Sequence, residues 1–110
     1  NICPGDIWQV PFWWNRFMES PEFKQALLTR WNDLRLNLLS NQSIMDKIDG
    51  YTDYLNDRGA IYQNFSKWDL LGRYIWPNKF VANSHKEEIG YMKDWINNRL
   101  QWIDEAIINL

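Results

Sequence analysis

The chain has 110 residues, a formal net charge of −2, 45% hydrophobic residues, eight tryptophans and one cysteine. That length suits one small domain with a real core, and the apolar content argues against disorder. The scattered single Lys and Arg residues argue against nucleic acid, and Cys3 alone can form neither an internal disulfide nor a thiolate cluster. No apolar run reaches the ~18–20 residues of a membrane span.

Residues 1–11 hold Pro4, Gly5 and Pro11 without a sustained period, which predicts an irregular lead-in, followed by a single helical subdomain over 12–110. A short helix is expected over Phe12 to Glu19. Its adjacent Trp13 and Trp14 stand about 100° apart on a helix, so one face cannot cover both. One ring is therefore expected inside and the other turned outward, with Trp14 favoured as the inner one by its spacing to Phe17 and Met18. Ser20, Pro21 and Glu22 form a helix start, and Phe23, Leu27, Trp31, Leu34 and Leu38 follow as one apolar stripe.

Ser40 or Asn41 caps the next segment, where Ile44, Ile48, Tyr51, Leu55, Tyr62 and Phe65 trace a second stripe. Gly50 and Gly59 interrupt it, each about 1 kcal/mol worse than Ala inside a helix. Either a tryptophan approaches the bare backbone there, or the helix kinks. Asp69 to Gly72 predicts a single short turn, and Trp76-Pro77-Asn78 an extended chain entering a turn. Ser84 and Glu87 have capping-box spacing before a third stripe of Ile89, Met92, Ile96, Ile103 and Ile107, flanked by Trp95 and Trp102. The expected fold is all-α: three long helices plus one or two short helical turns, in orthogonal or bundle-like packing around a Trp-rich core. Trp31, Trp95 and Trp102 are the expected core rings.

Two polar constellations have plain readings. Asp46, Asp49, Asp53 and Asp57 stack at helical spacing, which suits the solvated back of an amphipathic helix better than a cation or acid–base site. His85, beside Glu87 and Glu88, reads as a cap-region residue, because zinc needs three or four matched ligands. The residues hold no phosphate loop and no spacing that implies a triad, so no catalytic, cofactor-binding or metal residue is assigned. Trp8, Trp13, Trp14 and Trp76 lie in short or irregular segments and are the candidate ligand-facing aromatics.

Three phrases together are distinctive. "PFWWNRFMESPEFKQALLTRWNDLR", "WDLLGRYIWPN" and "EEIGYMKDWINNRLQWIDEAI" resemble, in this order, the C-terminal helical region of the CotH (spore coat protein H) kinase family, in versions from secreted or surface proteins of Bacteroidetes. The resemblance implies a longer parent with an atypical kinase-like fold, using ATP and a divalent metal to phosphorylate protein substrates. The family's ATP-contacting Lys and metal-binding Asp residues precede such a segment, so none is carried over, and Asp6 lacks the surrounding pattern. The missing initiating Met agrees with a piece of a longer protein. The chain is then expected to scaffold the catalytic lobe, itself inactive and without a cofactor, on a protein at the cell surface or outside the cell. Trp8, Trp13, Trp14 and Trp76 would be contacts to the N-terminal kinase-like lobe. The rival readings are a carbohydrate-binding module, favoured by three tryptophans along one groove, and a helical protein-interaction module, favoured by one large apolar patch.

Overall fold

The computed structural model describes residues 13–110; the expected irregular lead-in, with Trp8, lies outside the described residues. Five helices follow in chain order: α1 (Trp14–Glu19), α2 (Pro21–Leu36), α3 (Asn41–Asp57), α4 (Ala60–Lys67) and α5 (His85–Ile107). The fold is all-α, with three long helices and two short ones, and the described residues contain no strand.

The predicted start signals act as local chemistry requires. The first N–H groups of a helix have no partner within it, and a side-chain oxygen at the N-cap supplies one. Ser20 accepts from the Phe23 N–H, with Pro21 in the first turn, and also donates to Glu22. Ser40, rather than Asn41, caps α3 by accepting from the Ser43 N–H. Ser84 accepts from the Glu87 N–H at α5. The Glu87 carboxylate reaches back one residue further than a standard capping box and takes the Asn83 N–H at 2.8 Å.

The long second stripe divides at Gly59. That residue stands at φ +68°, in the left-handed region, and separates α3 from α4. Gly50, in contrast, continues α3 undisturbed. No atom lies within 4 Å of where a Cβ would sit at either glycine, so neither admits a close tryptophan. The backbone turn at Gly59 is the reason for glycine there, and the break, not the close approach, is what occurs.

Helix α5 is the spine. Asn41 and Asp49 of α3 meet Asn97 and Lys93, so α3 and α5 run antiparallel. Phe65 of α4 lies 6.0 Å from the His85 ring at the start of α5. The end of α2 meets Asp104 near the other end. Between α4 and α5 the chain turns at Leu71 and Gly72, within the expected short turn, and Asp69 pairs with Arg73. Gly72, at φ +73°, donates its N–H to the Ala82 carbonyl at 2.8 Å, and Phe80 stacks on Tyr91 at 4.2 Å. The first closes the loop on itself, and the second lays it against α5.

The buried hydrophobic side chains among the described residues are Ala82, Leu100 and Ile107, all aliphatic. The expected Trp-rich core is therefore corrected. Trp31 is half-buried, but Trp95 and Trp102 are 58% and 51% exposed. Both stand on the outer face of α5, where Arg99 lies 4.2 Å over the Trp102 ring. The α5 stripe is rotated slightly from the sequence reading: Leu100 is inside, Lys93 is half-buried, and Met92 faces out.

Gly50→Ala and Gly59→Ala are predicted to act in opposite directions. The first removes backbone freedom inside a helix with open space for a methyl group, and should stabilise by about 1 kcal/mol. The second forces a Cβ into the left-handed region and should cost about 1–2 kcal/mol. Urea unfolding of the two variants measures both; a shared sign would contradict the break at Gly59.

Candidate functional site

Two features stand out on this frame: an apolar cleft at the tip of α1–α2 and a polar cluster at the base of α2. The tip forms because Ser20 ends α1 and starts α2 within one residue, folding the two helices against each other. Trp13, Trp14, Phe17 and Met18 then line one wall of a cleft of about 390 Å³, and Phe23 and Leu27 line the other. Phe17 stacks on Phe23 with ring centroids 5.1 Å apart, and Trp13 meets Phe17 edge-on at 5.7 Å. These spacings suit aromatic pairs.

Trp13 and Trp14 are 46% and 48% exposed, so neither is the covered ring that helical geometry led us to expect. Helix α1 has six residues and no buried member, and is too short to press one ring into a core. Both tryptophans instead line the same cleft. Trp76, 81% exposed on the loop before α5, does not line it. Of the three candidate aromatics among the described residues, the fold brings two together. The cleft's lining among the described residues is apolar throughout, whereas a sugar needs polar partners for its hydroxyls. Among the described residues two tryptophans face this groove, short of the three that would favour the carbohydrate reading; Trp8 lies outside the described residues.

The other polar constellations are occupied by their neighbours. Asp49 pairs with Lys93, and Asp46 accepts from Gln42 Nε2 at 2.6 Å. His85 begins α5 against Phe65 while Glu87 caps that helix. Among the described residues, no three His, Cys, Asp or Glu side chains converge as a metal site would require.

The polar cluster at the base of α2 escaped the sequence reading. Trp31 and Arg35 are four apart and share a helix face. Trp31 Nε1 donates to Asp104 Oδ1 at 2.7 Å, and Arg35 Nε donates to the same oxygen at 2.9 Å. Arg35 Nη2 donates to Asp104 Oδ2 at 3.0 Å and to Asn41 Oδ1 at 2.7 Å, while Nη1 donates to the Leu39 carbonyl. Asn41 passes the chain on to Asn97 at 2.8 Å. One guanidinium therefore joins α2, the turn after it, α3 and α5. The Arg35 hydrogen bonds hold the Asp104 carboxyl below the usual carboxylate range; partial burial opposes this, and the Trp31 indole adds to the lowering. The signal available in the sequence was Asp104 itself, an acidic residue beside Ile103 on an otherwise apolar stripe.

A family model described as CotH kinase protein matches residues 2–103. The chain belongs to the CotH kinase family. No curated protein and no solved structure matches it significantly. The family assignment agrees with the resemblance carried by the three phrases, which span α1–α2, the loop before α5, and α5 itself. In this CotH chain, no described helix is long and apolar enough to cross a membrane.

Arg35→Met should cost about 1.5–3 kcal/mol, the range for hydrogen bonds to a charged group, as read by urea unfolding. The dependence on pH follows from the lowered Asp104 value. The ion pair contributes fully above the ordinary carboxylate pKa of about 3.9 and is lost as pH falls through the lower folded value. The advantage of the native chain over Arg35→Met should therefore shrink in acid, and the Asp104 carboxyl ¹³C titration should move upward in the variant.

Proposed function

We propose that this CotH chain is a helical scaffold that docks against the catalytic, kinase-like lobe of a longer protein and performs no phosphoryl transfer by itself. The observation that carries this reading is the amount of surface left uncovered. The chain exposes 9378 Å², against about 6,500 Å² for a compact protein of its mass. Its radius of gyration is 18.6 Å, where a compact domain of this length has about 13 Å. Much of the excess is apolar: Trp13, Trp14, Phe17, Trp76, Trp95 and Trp102 are all about half exposed or more. Surface of that kind marks interaction sites. The family supplies the partner, a lobe that would bind ATP and a divalent metal and act on protein hydroxyls. The setting proposed with it is a protein outside the cell or on its surface, of the Bacteroidetes type, with this region toward its C-terminal end.

The helices suit that role because their positions are set by caps and one ion-pair cluster and leave aromatic faces open. In the longer protein the α1–α2 cleft would close on an apolar segment of the lobe. The other exposed rings on the loop and α5 would meet further parts of the same partner or its protein substrate.

Replacing Trp13 and Trp14 together by Ala separates the scaffold reading from a self-sufficient module. In the 110-residue chain the pair should cost under about 1 kcal/mol per site, as at surface positions. In the longer protein the same change should cost several-fold more stability and lower phosphotransfer to a protein substrate. Equal small effects in both settings would overturn the docking role of this cleft. Mg²⁺-dependent ATP turnover by the 110-residue chain, abolished by changing one of its own residues, would overturn the non-catalytic role.

A further inference from the structure

We infer that α1–α2 is an arm hinged at residues 37–40, and that the Arg35 guanidinium, bound to Asp104, Leu39 and Asn41, sets the angle at which the arm leaves the body formed by α3, α4 and α5. This goes beyond the docking role and does not depend on it. Arg35 is a positioning residue in this reading.

Three observations carry it. Among the described residues the aromatic cleft is lined by α1, α2 and the adjoining Trp13, so the distal half of the arm stands clear of the helices of the body there. Among the described residues, every side-chain hydrogen bond joining α2 to α3 or α5 comes from Trp31 or Arg35, both in the last two turns of α2. The turn itself departs from helical geometry at Asn37, with φ −131° and ψ −99°, and the Arg35 guanidinium reaches across it to the Leu39 carbonyl.

The geometry of the donor explains why this cluster controls an angle. Apolar faces tolerate sliding and rotation, because dispersion contacts have little directional preference. A planar guanidinium holding both oxygens of a carboxylate fixes direction as well as distance. Here the same fork also holds the turn and the first residue of α3, so a rotation of α2 would break several charge-assisted bonds together. Helix α2 is about 24 Å long at 1.5 Å per residue, so a 10° change at its base moves the tip by about 4 Å. A displacement of that size would carry the aromatic cleft on or off a partner surface.

Distance measurements between spin labels test the inference. In a Cys3→Ser background, labels at Gln25→Cys and Lys86→Cys report arm against body, and labels at Lys47→Cys and Lys86→Cys report within the body; all three labelled positions lie outside the cluster. The native chain should give narrow distributions for both pairs. Arg35→Met should at least double the width of the arm–body distribution and leave the body pair unchanged. Asp104→Asn, which keeps an oxygen for Trp31 Nε1 while removing the ion pair, should do the same by a smaller factor and covers the case in which Arg35→Met does not fold. An unchanged arm–body width in Asp104→Asn, or in a folded Arg35→Met, would show that apolar packing sets the angle and would overturn the inference. Widening of both pairs together would also overturn it, because the cluster would then hold the whole fold and not one joint.

Discussion

The structure depends on a single carboxylate. Asp104 sits on the inner face of α5, where its neighbours Leu100 and Ile107 are the buried residues of the spine. A carboxylate partly covered on such a face gains from charged and N–H partners. Trp31 and Arg35 provide them from one face of α2, and Arg35 continues to the turn and to Asn41. Remove that group and α2 loses its ion pair to α5, while Asn41–Asn97 and Asp49–Lys93 still join α3 to α5. Both partners remain partly open to solvent, at 19% and 38%, so the pair avoids the full desolvation penalty of a buried ion pair.

This matters because the aliphatic core is small. Three buried side chains among the described residues supply limited hydrophobic driving force, and the half-buried stripes of α2, α3 and α5 supply the rest. Directional contacts then carry more of the burden of specifying one arrangement. The same economy leaves large rings outside. Trp95 and Trp102 are stabilised locally on α5, the latter beneath the Arg99 guanidinium, without entering a core. A helical layer 19 Å thick in its smallest dimension has little interior in which to place an indole.

For the function of a CotH protein, the consequence is a division of tasks within the chain. Helices α3 to α5 and the loop that stacks Phe80 on Tyr91 form the body. Helices α1 and α2 carry an apolar cleft away from it. Among the described residues the cleft's lining is apolar, which suits the docking role proposed for it. The proposed scaffold and the proposed hinge are separate statements about the two ends of α2.

Helix positions were legible in the residues because their causes are local. Ser20, Ser40 and Ser84 each satisfy an N–H three residues ahead, and a stripe with helical spacing is a property of one segment. The mixed meaning of the two glycines was not legible: both are compatible with a helix, and only the path of the chain decides which one turns. Burial of the tryptophans was misjudged for a related reason. Periodicity says which residues share a face, but a face is covered only where another element passes over it, and no described helix passes over Trp95 and Trp102 or covers the half-exposed pair of Trp13 and Trp14. The cluster of Arg35, Trp31 and Asp104 joins residues 69 to 73 positions apart, a separation that carries no local signal. The sequence by itself determined the helices, their caps and the family, since these rest on short-range hydrogen bonding and on ordered phrases. Only the tertiary structure decided which faces are buried, where the arm joins the body and which two tryptophans share a cleft, because those depend on what each surface meets across space.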